Sequence, residues 1–112
     1  MAATTATKNS MADHWASLGT TYSLHTADPG GSGTSNEATG GGYSRQSTTW
    51  GSASAGVVTG SQLTFTVVAG TYSHMARWNG GTYLGSFDTT DAVVSPAGEV
   101  KVTPSYTYNG TD

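Results

Sequence analysis

Cysteine is absent from this chain of 112 residues, which excludes disulfides and thiolate metal sites and leaves the redox compartment unread. Charge is scarce as well. Asp, Glu, Lys and Arg make up 10% of the residues, and the net charge is -3. The four basic residues, Lys8, Arg45, Arg77 and Lys101, are scattered, so no basic stripe follows a phosphate backbone and nucleic acid is not an expected partner. No apolar run approaches the roughly 18 residues of a membrane helix. The N-terminus also lacks a signal peptide's apolar centre, so no membrane partner and synthesis in a cytoplasm are expected.

Catalytic and cofactor motifs are missing too. There is no G-x-S-x-G elbow, no phosphate-binding G-x-x-x-x-G-K-[ST] loop and no H-E-x-x-H helix. His14, His25 and His74 fall on different expected elements without ligand spacing, and the Asp88 and Asp91 pair lacks the fuller oxygen set of a calcium loop. The expectation is no catalytic residue, no metal, no cofactor and no enzymatic activity.

What remains is a chain rich in Gly, Thr and Ser, a mixture that favours many short strands over helices. Tyr22 to Thr26 alternates large and small side chains, as a half-buried strand does. Asp28-Pro29-Gly30 ends it, since proline withholds an amide hydrogen and the glycine opens turn conformations. A glycine-rich arch follows to Gly42, and Tyr43 to Trp50 alternates again as the partner strand. Arg45, an isolated cation, is expected to hold the arch through Asp28, Glu37 or arch carbonyls.

Residues 1–7 read as an arm, loose or ordered by a partner. A helix is expected over about 9–18, with Met11, Trp15 and Leu18 on one face, Ser10 and Asp13 as its capping box and Gly19 ending it. Val57 to Thr59 is a short strand, and Gln62 to Val68 turns Leu63, Phe65 and Val67 inward. In the next run Tyr72, His74, Ala76 and Trp78 alternate with Ser73, Met75 and Arg77. Asn79-Gly80-Gly81 predicts a hairpin between that run and Thr82 to Phe87. Asp88 to Asp91 reads as a polar break before a short strand near Val93, and Glu99 to Thr103 turns Val100 and Val102 inward. The expected fold is all-β: an antiparallel β-sandwich, jelly-roll or immunoglobulin-like, of about seven or eight short strands with one N-terminal helix, a small barrel being the alternative. One domain spans residues 8–103, and residues 104–112 form an extended tail.

The segments Lys8-Asn9-Ser10-Met11, Ser23-Leu24-His25-Thr26-Ala27-Asp28-Pro29-Gly30, Asn36-Glu37 and Gly42-Tyr43-Ser44-Arg45 carry a further signal. Together with Arg77-Trp78-Asn79-Gly80-Gly81-Thr82-Tyr83-Leu84-Gly85, they resemble a family of small tailed-phage virion proteins, often labelled tail-fibre or minor structural proteins. The resemblance covers most of residues 8–103, has a shorter hairpin turn than the family pattern and brings no catalytic residue with it. It implies a non-enzymatic virion protein made in a host bacterial cytoplasm. The expected role is capsid decoration, binding the major capsid lattice; the alternatives are a minor tail or tail-fibre component and a carbohydrate- or receptor-binding module. Expected partners are phage capsid or tail proteins, further copies in a homo-oligomer such as a trimer, and a host-surface glycan. Trp50, Trp78, Tyr106 and Tyr108 are the expected interface residues, because three tryptophans and six tyrosines exceed what one thin sandwich buries.

Overall fold

The computed structural model describes residues 4–108, apart from the Thr90 side chain. The first three residues of the expected arm and the last four of the expected tail lie outside the described residues. Helix α1 spans Thr5–Ser17. It starts earlier than expected because the Thr4 hydroxyl accepts the Thr7 amide at 3.2 Å, an N-cap that Ser10, now inside the helix, does not provide. The inward face also differs. Ala12 and Ala16 are buried one turn apart and let the helix lie close on Val58, whereas Met11 and Leu18 are each 44% exposed. Gly19 follows the Leu18 C-cap, and a Cβ there would come within 2.5 Å of Leu84 Cδ1 and 2.6 Å of the Trp78 carbonyl.

Eight strands follow among the described residues: β1 (Thr21–His25), β2 (Gln46–Ser47), β3 (Val57–Thr59), β4 (Leu63–Val67), β5 (Gly70–Asn79), β6 (Thr82–Val94), β7 (Gly98–Val102) and β8 (Ser105–Thr107). All pair antiparallel, in a four-stranded sheet of order β2-β1-β5-β6 and two ribbons, β4-β7 and β3-β8. The fold is an all-β sandwich. Tyr22, Leu24, Tyr72 and Met75 from the large sheet meet Leu63, Phe65, Val67 and Val100 from the β4-β7 ribbon in one apolar core. The molecule is elongated, measuring 49 × 25 × 23 Å along its principal axes.

The partner of β1 is principally β5, paired from Thr21↔Trp78 to His25↔His74, while β2 contributes two residues. The expected Tyr43 to Trp50 strand is cut short because its side chains are drawn to different places: Tyr43 to the core, Arg45 to Glu37 and Trp50 to the helix end. The hairpin across Gly80-Gly81 forms as expected, with Asn79 opposite Thr82 and Gly80 at φ 58, a left-handed position suited to glycine. Its second strand does not break at Asp88. Strand β6 runs on to Val94 because a bulge absorbs the polar segment, shifting the register between Tyr72↔Ala92 and His74↔Asp88. Tyr72 and Met75, on either side of this irregularity, both reach the one core, where simple alternation separates them.

A tight turn joins Ser54 to Val57, which exchange backbone hydrogen bonds of 2.8 and 2.9 Å. Both turn residues have positive φ, 51 at Ala55 and 79 at Gly56. Alanine is poorly suited to the first of these positions and asparagine is well suited. Ala55→Asn is therefore expected to raise unfolding free energy by about 0.5–1 kcal/mol in urea titration; a loss of stability would contradict this turn geometry.

Candidate functional site

The polar groups of the sandwich gather at its glycine arch. Asp28 shapes the first turn, its Oδ1 accepting the Gly30 amide at 2.9 Å while its carbonyl accepts Asn36 Nδ2 at 3.0 Å. Pro29 is buried, and its carbonyl accepts the Ser35 amide. Arg45 is held by Glu37 and not by Asp28: Nε donates to Oε2 and Nη2 to Oε1, each at 3.0 Å. Tyr43 adds its hydroxyl to Glu37 Oε2 at 2.7 Å and accepts the Leu24 amide at 3.0 Å, tying the arch to β1. The Arg45 guanidinium also lies 3.9 Å from the centroid of the Trp78 ring.

Arg45→Ala removes the fork and the ring contact together. With its side chain 31% exposed, the pair is worth about 1–2 kcal/mol, closer to the lower figure. Protease nicking within residues 30–42 is expected to accelerate in this variant, and unchanged nicking would show that the arch is held by its turns alone.

Beneath the arch runs a buried relay. Trp78 Nε1 donates to Ser23 Oγ at 2.9 Å, Ser23 Oγ lies 2.7 Å from His25 Nε2, and His25 Nδ1 lies 2.8 Å from the Ser35 carbonyl. A carbonyl only accepts, so Nδ1 carries the proton and Nε2 accepts from the Ser23 hydroxyl. Residues i and i+2 of a strand share a face, so the alternation places Ser23 beside His25 without revealing the bond between them. The pair has the form of an activated nucleophile, yet both residues are 0% exposed.

Burial is the largest influence on His25 and lowers its pKa below the ordinary 6.5, against the Ser35 carbonyl and Glu37, which raise it. For Glu37, burial raises the pKa, but the hydrogen bonds from Arg45 and Tyr43 win and leave it below 4.5. In both cases the unfolded chain takes up its proton first as pH falls. The His25 contribution is full above pH 6.5 and drains below it, and that of Glu37 is present above 4.5 and is lost through its lower folded value. Melting temperature is therefore expected to fall in two steps on acidification, and a flat profile through the first step would contradict a neutral His25.

The second concentration of functional groups is aromatic. Tyr106 stacks on Trp15 at 4.2 Å, Trp50 meets the same ring edge-on at 5.4 Å, and Arg77 lies over it at 3.6 Å. Arg77 is 6% exposed. Its Nη2 donates to the Trp15, Ala16 and Gly19 carbonyls and its Nε to Gly19, so a cation sits on the negative end of α1. Trp50 Nε1 donates to the Gly19 carbonyl as well, at 3.1 Å.

The expected interface residues are largely spent inside the chain. Trp78 is 4% exposed, bonded to Ser23 and covered by Arg45, so it offers no docking face. Trp50, Tyr106 and Tyr108 are half-buried and pack on Ala12, Ala16 and Val58. The larger exposed apolar side chains are instead Met11, Leu18, Val68, Leu84, Phe87 and Val93. Alternation marks Phe87 only as a strand residue, and its exposure follows from β6 being the sheet edge.

Next to the aromatic cluster is a half-open cleft of about 490 Å³, walled by Tyr22, Met75, Phe87, Val102, Pro104 and Tyr106. Asp88, Thr103 and Ser105 bring a carboxylate and two hydroxyls to it, and none of these side chains is hydrogen-bonded among the described residues. No group of three or more metal-ligating side chains occurs among the described residues, and no described helix is long and apolar enough to cross a membrane.

The Ser23–His25 pair is thus sealed from solvent inside an elongated antiparallel sandwich. Residues 2–103 match the family described as Podophage GP4 fiber I protein gp80, and the chain belongs to that family of phage fibre proteins. No curated protein and no solved structure matches it.

Proposed function

We propose that this chain is a non-enzymatic structural subunit of a tailed-phage particle, placed in a fibre and assembled as a homo-oligomer. The observation that carries this reading is the fibre-family match across residues 2–103. It favours the tail-fibre alternative over capsid decoration, which has no comparable support. A long axis of 49 Å and a polar interior fully bonded among the described residues suit a part that bears load and performs no chemistry. Counting copies in purified particles by quantitative mass spectrometry tests it. A few to some tens per particle is expected, whereas copies on the order of hundreds would return the chain to the capsid lattice.

The cleft beside Tyr106 favours a second reading, in which the same subunit also binds host glycan. Its apolar walls suit the flat face of a pyranose, and Asp88, Thr103 and Ser105 suit the hydroxyls. Saturation-transfer NMR with neutral methyl glycosides is expected to report binding by the parent chain and none by Phe87→Ala; a signal independent of Phe87 would exclude the cleft.

A further inference from the structure

The two halves of the glycine arch are held in different ways. Residues 37–45 are fastened by apolar and ionic contacts: Ala38 is 5% exposed, Tyr43 packs on the core, and Glu37 grips Arg45. Residues 30–36, Gly-Gly-Ser-Gly-Thr-Ser-Asn, carry no large apolar side chain. They are tied to β1 by the Thr26 amide and hydroxyl, which donate to the Asn36 carbonyl at 2.9 and 3.3 Å, and by His25 Nδ1 on the Ser35 carbonyl at 2.8 Å. They are tied to β6 by Tyr83, whose hydroxyl reaches the Gly30 carbonyl at 3.4 Å. Segments with few buried apolar contacts open at low free energy. Left-handed φ values of 77 at Gly30 and 61 at Asn36 mark the two ends of this segment, in residue types that accept a change of backbone conformation.

His25, at the root of the segment, is satisfied only in its neutral form. Ser23 Oγ accepts from Trp78 Nε1 and gives its own hydrogen to His25 Nε2. A proton added at Nε2 displaces that hydrogen, and the buried hydroxyl has no second acceptor among the described residues. The charged groups around the ring do not remove the conflict. Glu37 faces it from the arch and favours the charge, whereas Arg45, paired to Glu37, and His74, the Cα partner on β5, oppose it. Asp88 of β6 stands opposite His74.

We propose that residues 30–36 form an acid-released flap, which lifts from β1 when His25 takes up a proton while residues 37–45 stay in place. Lifting lets water reach the imidazolium and the Ser23 hydroxyl, so the conflict at Nε2 ends without unfolding the sandwich. Glu37 keeps its charge through this step, because the hydrogen bonds from Arg45 and Tyr43 hold its pKa below 4.5. The direction follows from His25, whose pKa burial lowers below 6.5: the open form binds the proton more tightly, so the flap is closed at neutral pH and opens as pH falls below 6.5. With one proton taken up, the open fraction rises about tenfold per pH unit until the folded pKa is reached.

Hydrogen exchange on the full chain, expressed as protection factors between about pH 8 and about pH 5, reads the two halves separately. The Thr26 amide bonds the Asn36 carbonyl, and the Ala38 amide bonds the Leu24 carbonyl, each at 2.9 Å. Thr26 protection is expected to fall about tenfold per pH unit below 6.5, and that of Ala38 to stay level. Parallel loss at both amides would mean that the whole arch or the whole fold opens, and level Thr26 protection would mean that the flap ignores the charge; either result overturns the proposal. His25→Gln is expected to flatten the Thr26 profile and His74→Gln to keep it. A slope that survives His25→Gln, or disappears in His74→Gln, would place the sensor elsewhere and overturn it too. The parent and His74→Gln profiles decide the matter alone if His25→Gln does not fold.

Discussion

Arg77→Met is expected to destabilise the fold by about 3 kcal/mol, a large share of what a domain of this size has to lose. The side chain joins the last turn of α1 to the C-terminal end of β5, through carbonyls of Trp15, Ala16 and Gly19 and through the face of Trp15. Two effects oppose each other. Removing the guanidinium relieves a desolvation cost, which is the principal cause of its lowered pKa. Against that, charge-assisted bonds contribute about 1.5–3 kcal/mol each, and losing them leaves helix-end acceptors without donors in a buried place. Several bonds against one desolvation cost decide the sign. Methionine retains most of the apolar stem, so urea denaturation reports the charge and its bonds more than lost volume. A variant as stable as the parent would show that the helix docks through Ala12 and Ala16 alone.

Phe65→Ala is the other substitution expected to cost most, about 3–5 kcal/mol. Phe65 is 0% exposed between the large sheet and the β4-β7 ribbon, with the Tyr43 ring stacked 6.1 Å away. Truncation leaves a cavity where the two layers meet, and neither layer can collapse without disturbing the Tyr43 link to Glu37. Phe87→Ala is the control. At 43% exposed on an edge strand, it should cost below about 1 kcal/mol. Equal losses for the two phenylalanines would mean that the interlayer core is misplaced.

Elements whose cause is local are legible in the sequence. Leu63, Phe65 and Val67 alternate into the core because β4 has a flat, uninterrupted pleat, and Gly80-Gly81 marks its hairpin because a turn is chosen within a few residues. Arg45 stands out because a lone cation in a weakly charged chain needs an acceptor, and Glu37 lies only eight positions away. What is not legible depends on distant partners. Arg77 meets Trp15 across sixty-two positions, and no pattern around either residue signals a cation capping a helix. The bulge in β6 sets three residues, 89–91, against Ser73 of β5, Tyr72 and Met75 both reach the core, and periodicity does not register inserted residues. Trp78, Trp50 and Tyr106 read as surplus aromatics because the buried acceptors at Ser23 and Gly19 and the Trp15 stack emerge only in three dimensions.

The central claim, that this chain is a fibre subunit of a tailed-phage particle, is tested most directly by locating it. Gold-labelled antibody against the purified protein, applied to intact particles and viewed by electron microscopy, should mark fibres and leave the head shell unlabelled. Label spread evenly over the head would contradict the fibre assignment and restore capsid decoration as the role.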